Sequence, residues 1–228
     1  LSTNTILAQK CTAGDCKTGY GNFEYSDGAK YMGNFNNYKR SGEGLFIYPD
    51  GSEYIGNFNN GNMHGEGKFV FANGSVYMGQ FSNGKIHGNG NYIYSDGAKY
   101  VGKFKNGIKD GIGTLLLSNG DRYSGDFRDG VFNGEGKLES NNGDIYIGEF
   151  QNGLFYGQGK HTSSDGTEYI GGFRDGLRDG YGSLISRSLD EGKYIGEFSN
   201  NIFDGIGEFQ FPNGDRYSGE FKNGLFHG

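Results

Sequence analysis

Hydrophobic and polar positions alternate along this chain in short runs, and the runs recur. Tyr54-Ile55-Gly56-Asn57-Phe58 is followed by the polar pair Asn60-Gly61. Gly65-Glu66-Gly67-Lys68-Phe69-Val70-Phe71 comes next, and then Asn73-Gly74. The pattern restarts at Tyr77, Tyr100, Tyr123, Tyr146 and Tyr169, each time 23 residues on. Related starts stand at Tyr31, Tyr194 and Tyr217. Period-two alternation predicts two strands per repeat, and the Asx-Gly pairs tolerate the positive φ that tight turns require. A fixed period in this range predicts an array of stacked units.

The pattern also predicts a register. A three-residue second turn, such as Pro49-Asp50-Gly51, sets Phe46 opposite Tyr54 and Gly44 opposite Gly56. Pairing Phe58 with Gly65 across the first turn keeps Tyr54, Gly56, Phe58, Gly65, Gly67, Phe69 and Phe71 on one face. A one-residue slip moves every side chain to the other face. The expected fold is all-β: an elongated, twisted, single-layer antiparallel meander of stacked β-hairpins. Bare backbone at Gly65 and Gly67 is expected to leave troughs for the rings of Tyr54 and Phe58. The structural ladder continues through Tyr77, Phe81, Tyr100, Phe104, Tyr123 and Phe127. A third row runs through Phe23, Phe46, Phe69, Tyr92, Leu115, Leu138, His161, Leu184 and Phe209.

The consensus Tyr-x-Gly-x-Phe-x-x-Gly-x-x-x-Gly-x-Gly, repeated every 23 residues, resembles the MORN repeat (membrane occupation and recognition nexus). The resemblance extends from about residue 17 to residue 228. It implies a β-hairpin array. Members of that family serve as scaffolds, as oligomerisation rods and as targeting modules beside kinase or lysine-methyltransferase domains. Membrane or phosphoinositide binding is attributed to some of them.

Composition narrows the function. Glycine makes up 46 of 228 residues, yet aromatics reach 16%, so the chain has the material for a core that a disordered Gly-rich chain lacks. Net charge is -6, with no basic stripe, which argues against nucleic acid and disfavours anionic lipid. We expect no binding to phosphoinositide vesicles at physiological salt. Residues 1–16 read as a leader and N-terminal cap, and residues 17–228 as an array of about nine 23-residue units, the last truncated. Two readings of the leader stay open: the tail of an export signal, placing the chain outside the cell or in its envelope, or an irregular segment of a cytoplasmic chain. Export would permit a disulfide between Cys11 and Cys16. Several units depart from the pattern. Tyr38 and Asn201 replace the loop glycine, extra length falls around Ser186 to Asp190, His161 replaces a core hydrophobe, and Ser140, Ser163 and Ser186 stand where Tyr48 and Phe71 stand earlier. The array is expected to be looser from Ser140 to Glu191.

No catalytic chemistry emerges from these residues. His64, His87 and His227 share one repeat position, about 10 Å apart in neighbouring hairpins, too far to share a metal. Gly-x-Gly opens no helix, so it is no nucleotide loop. We read the chain as non-enzymatic, with no cofactor and no metal. Two surfaces remain as candidates. One is the aromatic face. The other is an apolar stripe opposite it, formed by Ile55, Met78, Val101, Ile147, Ile170 and Ile195, which suits a partner helix or another chain. The apolar pairs Val131-Phe132, Leu154-Phe155, Ile202-Phe203 and Leu225-Phe226 and the basic Lys39-Arg40 and Lys109 are read as loops. The expected role is a scaffold for an unidentified protein partner or for self-association through free edge strands. The alternative is a targeting or membrane-association module of a larger protein.

Overall fold

The computed structural model describes residues 9–187 and 192–227. Most of the leader, part of the insertion near Ser186 and the terminal Gly228 lie outside the described residues. The described residues hold twenty strands and no helix. The chain divides into two compact units, Leu1–Gly111 and Ile112–Gly228.

The first unit contains β1 (Lys10–Gly14), β2 (Tyr20–Glu24), β3 (Lys30–Asn36), β4 (Lys39–Ile47), β5 (Glu53–Asn59), β6 (Asn62–Val70), β7 (Val76–Ser82), β8 (Lys85–Ile93) and β9 (Lys99–Lys105). β10 (Ile108–Leu116) covers the residues where one unit gives way to the next along the chain. The second unit contains β11 (Arg122–Arg128), β12 (Val131–Glu139), β13 (Ile145–Gln151), β14 (Leu154–Thr162), β15 (Glu168–Arg174), β16 (Leu177–Ile185), β17 (Lys193–Ser199), β18 (Ile202–Gln210), β19 (Arg216–Lys222) and β20 (Leu225–His227). Within each unit, strands pair antiparallel with their neighbours in sequence, so each is a meander of hairpins. From β3 to β19, seven-residue strands alternate with nine-residue strands.

The turns explain that alternation. At the second turn, Tyr48 N–H donates to Ser52 O at 2.8 Å, Gly51 N–H donates to Tyr48 O at 3.0 Å, and Gly51 has φ +86°. This is the expected three-residue loop, and Phe46 faces Tyr54 while Gly44 faces Gly56. The first turn departs from expectation. Asn60 (φ +50°) and Gly61 (φ +87°) form a two-residue connection closed by Asn59 and Asn62, the geometry of a type I′ turn. Phe58 therefore pairs with Met63, and not with Gly65. The longer strand takes up its extra residues in a bulge after the Gly56–Gly67 pair. Gly65 lies in that bulge with φ +68°, and a β-carbon there would meet only the Asn57 side chain, at 3.8 Å. The expected ring trough at Gly65 is thus corrected: its glycine serves backbone conformation.

The troughs are at the paired glycines. The Tyr54 ring lies across Gly56 and Gly67 and is fully buried. Its hydroxyl donates to Asn57 O at 2.9 Å, satisfying a carbonyl at the bulge. Tyr31, Tyr77, Tyr123, Tyr146, Tyr169 and Tyr194 make the same bond three residues ahead. Each ring also meets two phenylalanines edge-on. Tyr54 lies 5.0 Å from Phe58 in its own strand and 4.9 Å from Phe81 in the next repeat. Such pairs contribute about 0.5–1.5 kcal/mol beyond area burial. These contacts hold consecutive hairpins together, so the core is a row of rings repeated along each unit.

Candidate functional site

Two-residue first turns decide which side chains reach the aromatic face. Counting outward from Asn60-Gly61, Met63 points inward, and so do its equivalents one repeat apart. Phe132, Phe155 and Phe203 stack flat on Tyr123, Tyr146 and Tyr194, with centroids 3.8, 3.7 and 3.9 Å apart. The apolar pairs expected in loops are therefore split between faces: Val131, Leu154, Ile202 and Leu225 are exposed, while these three phenylalanines cap tyrosines. Arg40, Lys109 and Arg178 occupy the same capping position and are likewise strand residues, not loop residues. The Arg40 guanidinium lies 4.4 Å from the Phe46 centroid and 5.3 Å from that of Phe58, and Lys109 Nζ lies 5.7 Å from Tyr100. His64 and His87 are exposed strand residues as well.

A second row on this face changes along the chain. In the first unit Tyr48, Phe69, Phe71, Tyr92 and Tyr94 touch in sequence, with centroid separations of 5.4, 4.5, 5.5 and 4.4 Å. In the second unit the row reads Leu138, Ser140, His161, Ser163 and Leu184, and phenyl rings return only at Phe209 and Phe211, 4.9 Å apart. Small and polar side chains there leave a cavity of about 490 Å³, lined among others by Phe155, His161, Ser163, Thr167, Arg178 and Leu184.

Arg178 defines the chemistry of this cavity. It is half-buried, with its guanidinium 5.6 Å from the Tyr169 centroid and 5.5 Å from that of Phe198. Nε donates to Asn201 Oδ1 and a terminal nitrogen to Asn201 O, both at 3.3 Å. Among the described residues it pairs with no carboxylate. Burial lowers its pKa, while Tyr169 opposes the shift. Burial also lowers the pKa of His161, with Asp144 opposing and Arg178 adding to the shift. The imidazole is thereby favoured in its neutral form.

The opposite face carries the expected stripe. Ile55, Met78, Val101, Ile147 and Ile170 are exposed and Ile195 is half-buried. The row is interrupted on alternate strands, since Lys68 separates Ile55 from Met78 and Lys160 separates Ile147 from Ile170. Ion pairs cross this face in the second unit, Arg122–Glu139 at 3.1 Å and Lys160–Glu168 at 2.9 Å among them. At the amino end, Cys11 and Cys16 are joined in a disulfide within the β1–β2 segment. No group of three or more His, Cys, Asp or Glu among the described residues could hold a metal ion.

A meander of glycine-floored hairpins with a buried tyrosine in each repeat from Tyr31 to Tyr194 defines a β-hairpin repeat protein. The MORN repeat model matches residues 31–53, 54–76, 77–99, 100–122, 123–145, 146–168, 169–190, 194–216 and 217–228, and the chain belongs to that family. No curated protein matches it. Among solved structures, it is similar to the TCP domain of Drosophila melanogaster SAS-4 in complex with a proline-rich motif of Ana2, at 14% identity over 93% of this chain and 97% of that one, TM-score 0.37. It is also similar to the TCP10 domain of Danio rerio CPAP, at 12% identity over 93% and 94% of the two chains, TM-score 0.44.

Proposed function

We propose that this chain is a non-catalytic repeat scaffold whose aromatic face seats an extended segment of a partner protein in the second unit. The observation that carries this reading is the change in the second row. Where the first unit fills it with a continuous ridge of rings, the second unit puts His161 and Ser163 and leaves an opening. Membership of a repeat family used for assembly agrees with a binding role. An opening with an apolar floor and a few polar groups at its rim suits a peptide, whose side chains fill the apolar parts while its polar groups find partners.

A peptide library panned on the intact chain tests the reading. Peptides are expected to be enriched, and their binding is expected to fall at least about tenfold on Ser163→Phe, which restores the residue type found at Phe71. Failure to enrich any peptide, or equal binding to Ser163→Phe, would overturn it.

A further inference from the structure

We propose that Arg178 and His161 form a subsite for a single carboxylate, the side chain of an Asp or Glu within the bound segment. The inference rests on the peptide-seat reading and deepens it.

The fold does not require a cation at position 178. Phe132, Phe155 and Phe203 fill the same place and stack more closely on their tyrosines than a guanidinium does. A guanidinium has five N–H donors. Asn201 accepts from two of them, and the other three have no acceptor among the described residues. A half-buried cation without a counter-ion is costly, and a carboxylate entering the cavity would relieve that cost with charge-assisted hydrogen bonds. Arg40 occupies the equivalent position in the first unit. That guanidinium donates to Gly61 O and is surrounded by the rings of Tyr25, Tyr31, Phe46 and Phe58. Arg178 has His161 and Ser163 beside it in the cavity wall.

Charge decides which anion fits. Arg178 supplies one positive charge, and His161 is held toward neutrality by burial. Asp165 stands in the cavity wall, and Asp144 is close enough to act on His161. A monoanion balances the guanidinium. A phosphate dianion would bring surplus negative charge against these two carboxylates. Phe155, Phe173 and Leu184 in the same wall call for an apolar residue beside the acid.

The test compares two probe peptides on the intact isotope-labelled chain, acetyl-Leu-Glu-Phe-amide and its Gln counterpart. The Glu peptide is expected to bind at least about tenfold tighter, the advantage of one charge-assisted contact. It is expected to shift the NMR signals of the Arg178 Nε–H and the His161 ring. Arg178→Phe, which installs the residue of neighbouring repeats and leaves the capping stack filled, is expected to abolish the Glu preference. Arg40→Phe is expected to leave it intact. Equal affinity for the two peptides in the unaltered chain would overturn the subsite, and so would an absence of shifts at both residues. Tighter binding of phenyl phosphate than of 3-phenylpropionate would replace the carboxylate with a phosphate and overturn it too. If panned peptides bind the opening with no acid preference, the peptide seat stands and the subsite alone falls.

Discussion

The ring of Tyr54 lies 2.5 Å from the point where a β-carbon on Gly67 would stand. That approach is closer than any real β-carbon contact, and the ring is wedged on a glycine floor whose other half is Gly56. A methyl group at Gly67 would push a fully buried ring out of its place. Gly65 stands two residues away under a different constraint, a φ of +68° with only the Asn57 side chain nearby. Gly67→Ala is therefore expected to cost about 3 kcal/mol or more, the scale of losing a packed aromatic. Gly65→Asn should cost about 1 kcal/mol, because Asn visits the left-handed region with little penalty. Urea unfolding of the two variants checks the ordering. Equal losses would mean that the two glycines answer to the same constraint.

The ladder of Tyr and Phe was legible in the sequence because ring and glycine recur at one spacing, and only a hairpin array keeps them together. The three-residue second turn was legible too, since Asp50-Gly51 fixes a left-handed glycine. At Phe58 the structure departs from the parity pattern, because Phe58 pairs with Met63. Keeping Gly65 on the ring face by parity alone ignored what Asn60-Gly61 demands, namely two left-handed residues and immediate strand pairing. The same turn length determines the candidate site. Once Asn60-Gly61 is a two-residue turn, Met63 and its equivalents, Phe155 and Arg178 among them, must point at the rings. The missing signal was turn length. The loss of an aromatic at Ser163 was visible in the sequence, but only the stacked neighbours show that it opens a cavity.

High pH should unfold the array by ionising the tyrosines. Burial pushes the phenols of Tyr31, Tyr77, Tyr100, Tyr169 and Tyr194 up to about 12, from an ordinary value of 10.0. The folded chain thus holds protons that the unfolded chain releases first. The stability is intact below about pH 10 and is lost as pH climbs toward 12. Because several phenols act together, loss of strand circular dichroism is expected to coincide with the appearance of tyrosinate absorbance. Tyrosinate appearing fully while the strands remain would contradict the burial of the ladder.

The second turns are linked across repeats by two different acceptors. In the first unit Ser52 Oγ accepts from Ala72 N–H and Ser75 Oγ from Ser95 N–H, both at 3.0 Å. In the second unit Asp144 Oδ1 accepts from Ser164 N–H at 2.8 Å. That bond, followed by the Asn142 side chain, lowers the Asp144 pKa below 3.8. A lowered pKa means that this stabilisation is full above the unfolded value and is lost as pH falls through the folded one. Asp144→Ser, which copies the first unit, is expected to flatten the fall of Tm on acidification below about pH 4. Parallel acid limbs for the variant and the unaltered chain would show that the carboxylate contributes nothing there.

Tyr38 offers a gain of stability. It occupies the second position of a first turn with φ +63°, where the following hairpins of the first unit have Gly61, Gly84 and Gly107. A left-handed conformation costs a residue with a β-carbon roughly 1–2 kcal/mol. Lys17 Nζ over the exposed Tyr38 ring, 5.7 Å from its centroid, returns part of this, about 0.5–1 kcal/mol at a solvated site. The backbone bond from Tyr38 N–H to Lys17 O, 3.1 Å long, does not depend on the side chain and survives substitution. Tyr38→Gly is expected to raise stability by about 0.5–1 kcal/mol, read as a higher Tm. Tyr38→Val, which puts a branched β-carbon at the same φ, should lower it. A lower Tm for the glycine variant would show that the ring contact with Lys17 outweighs the strain of the turn.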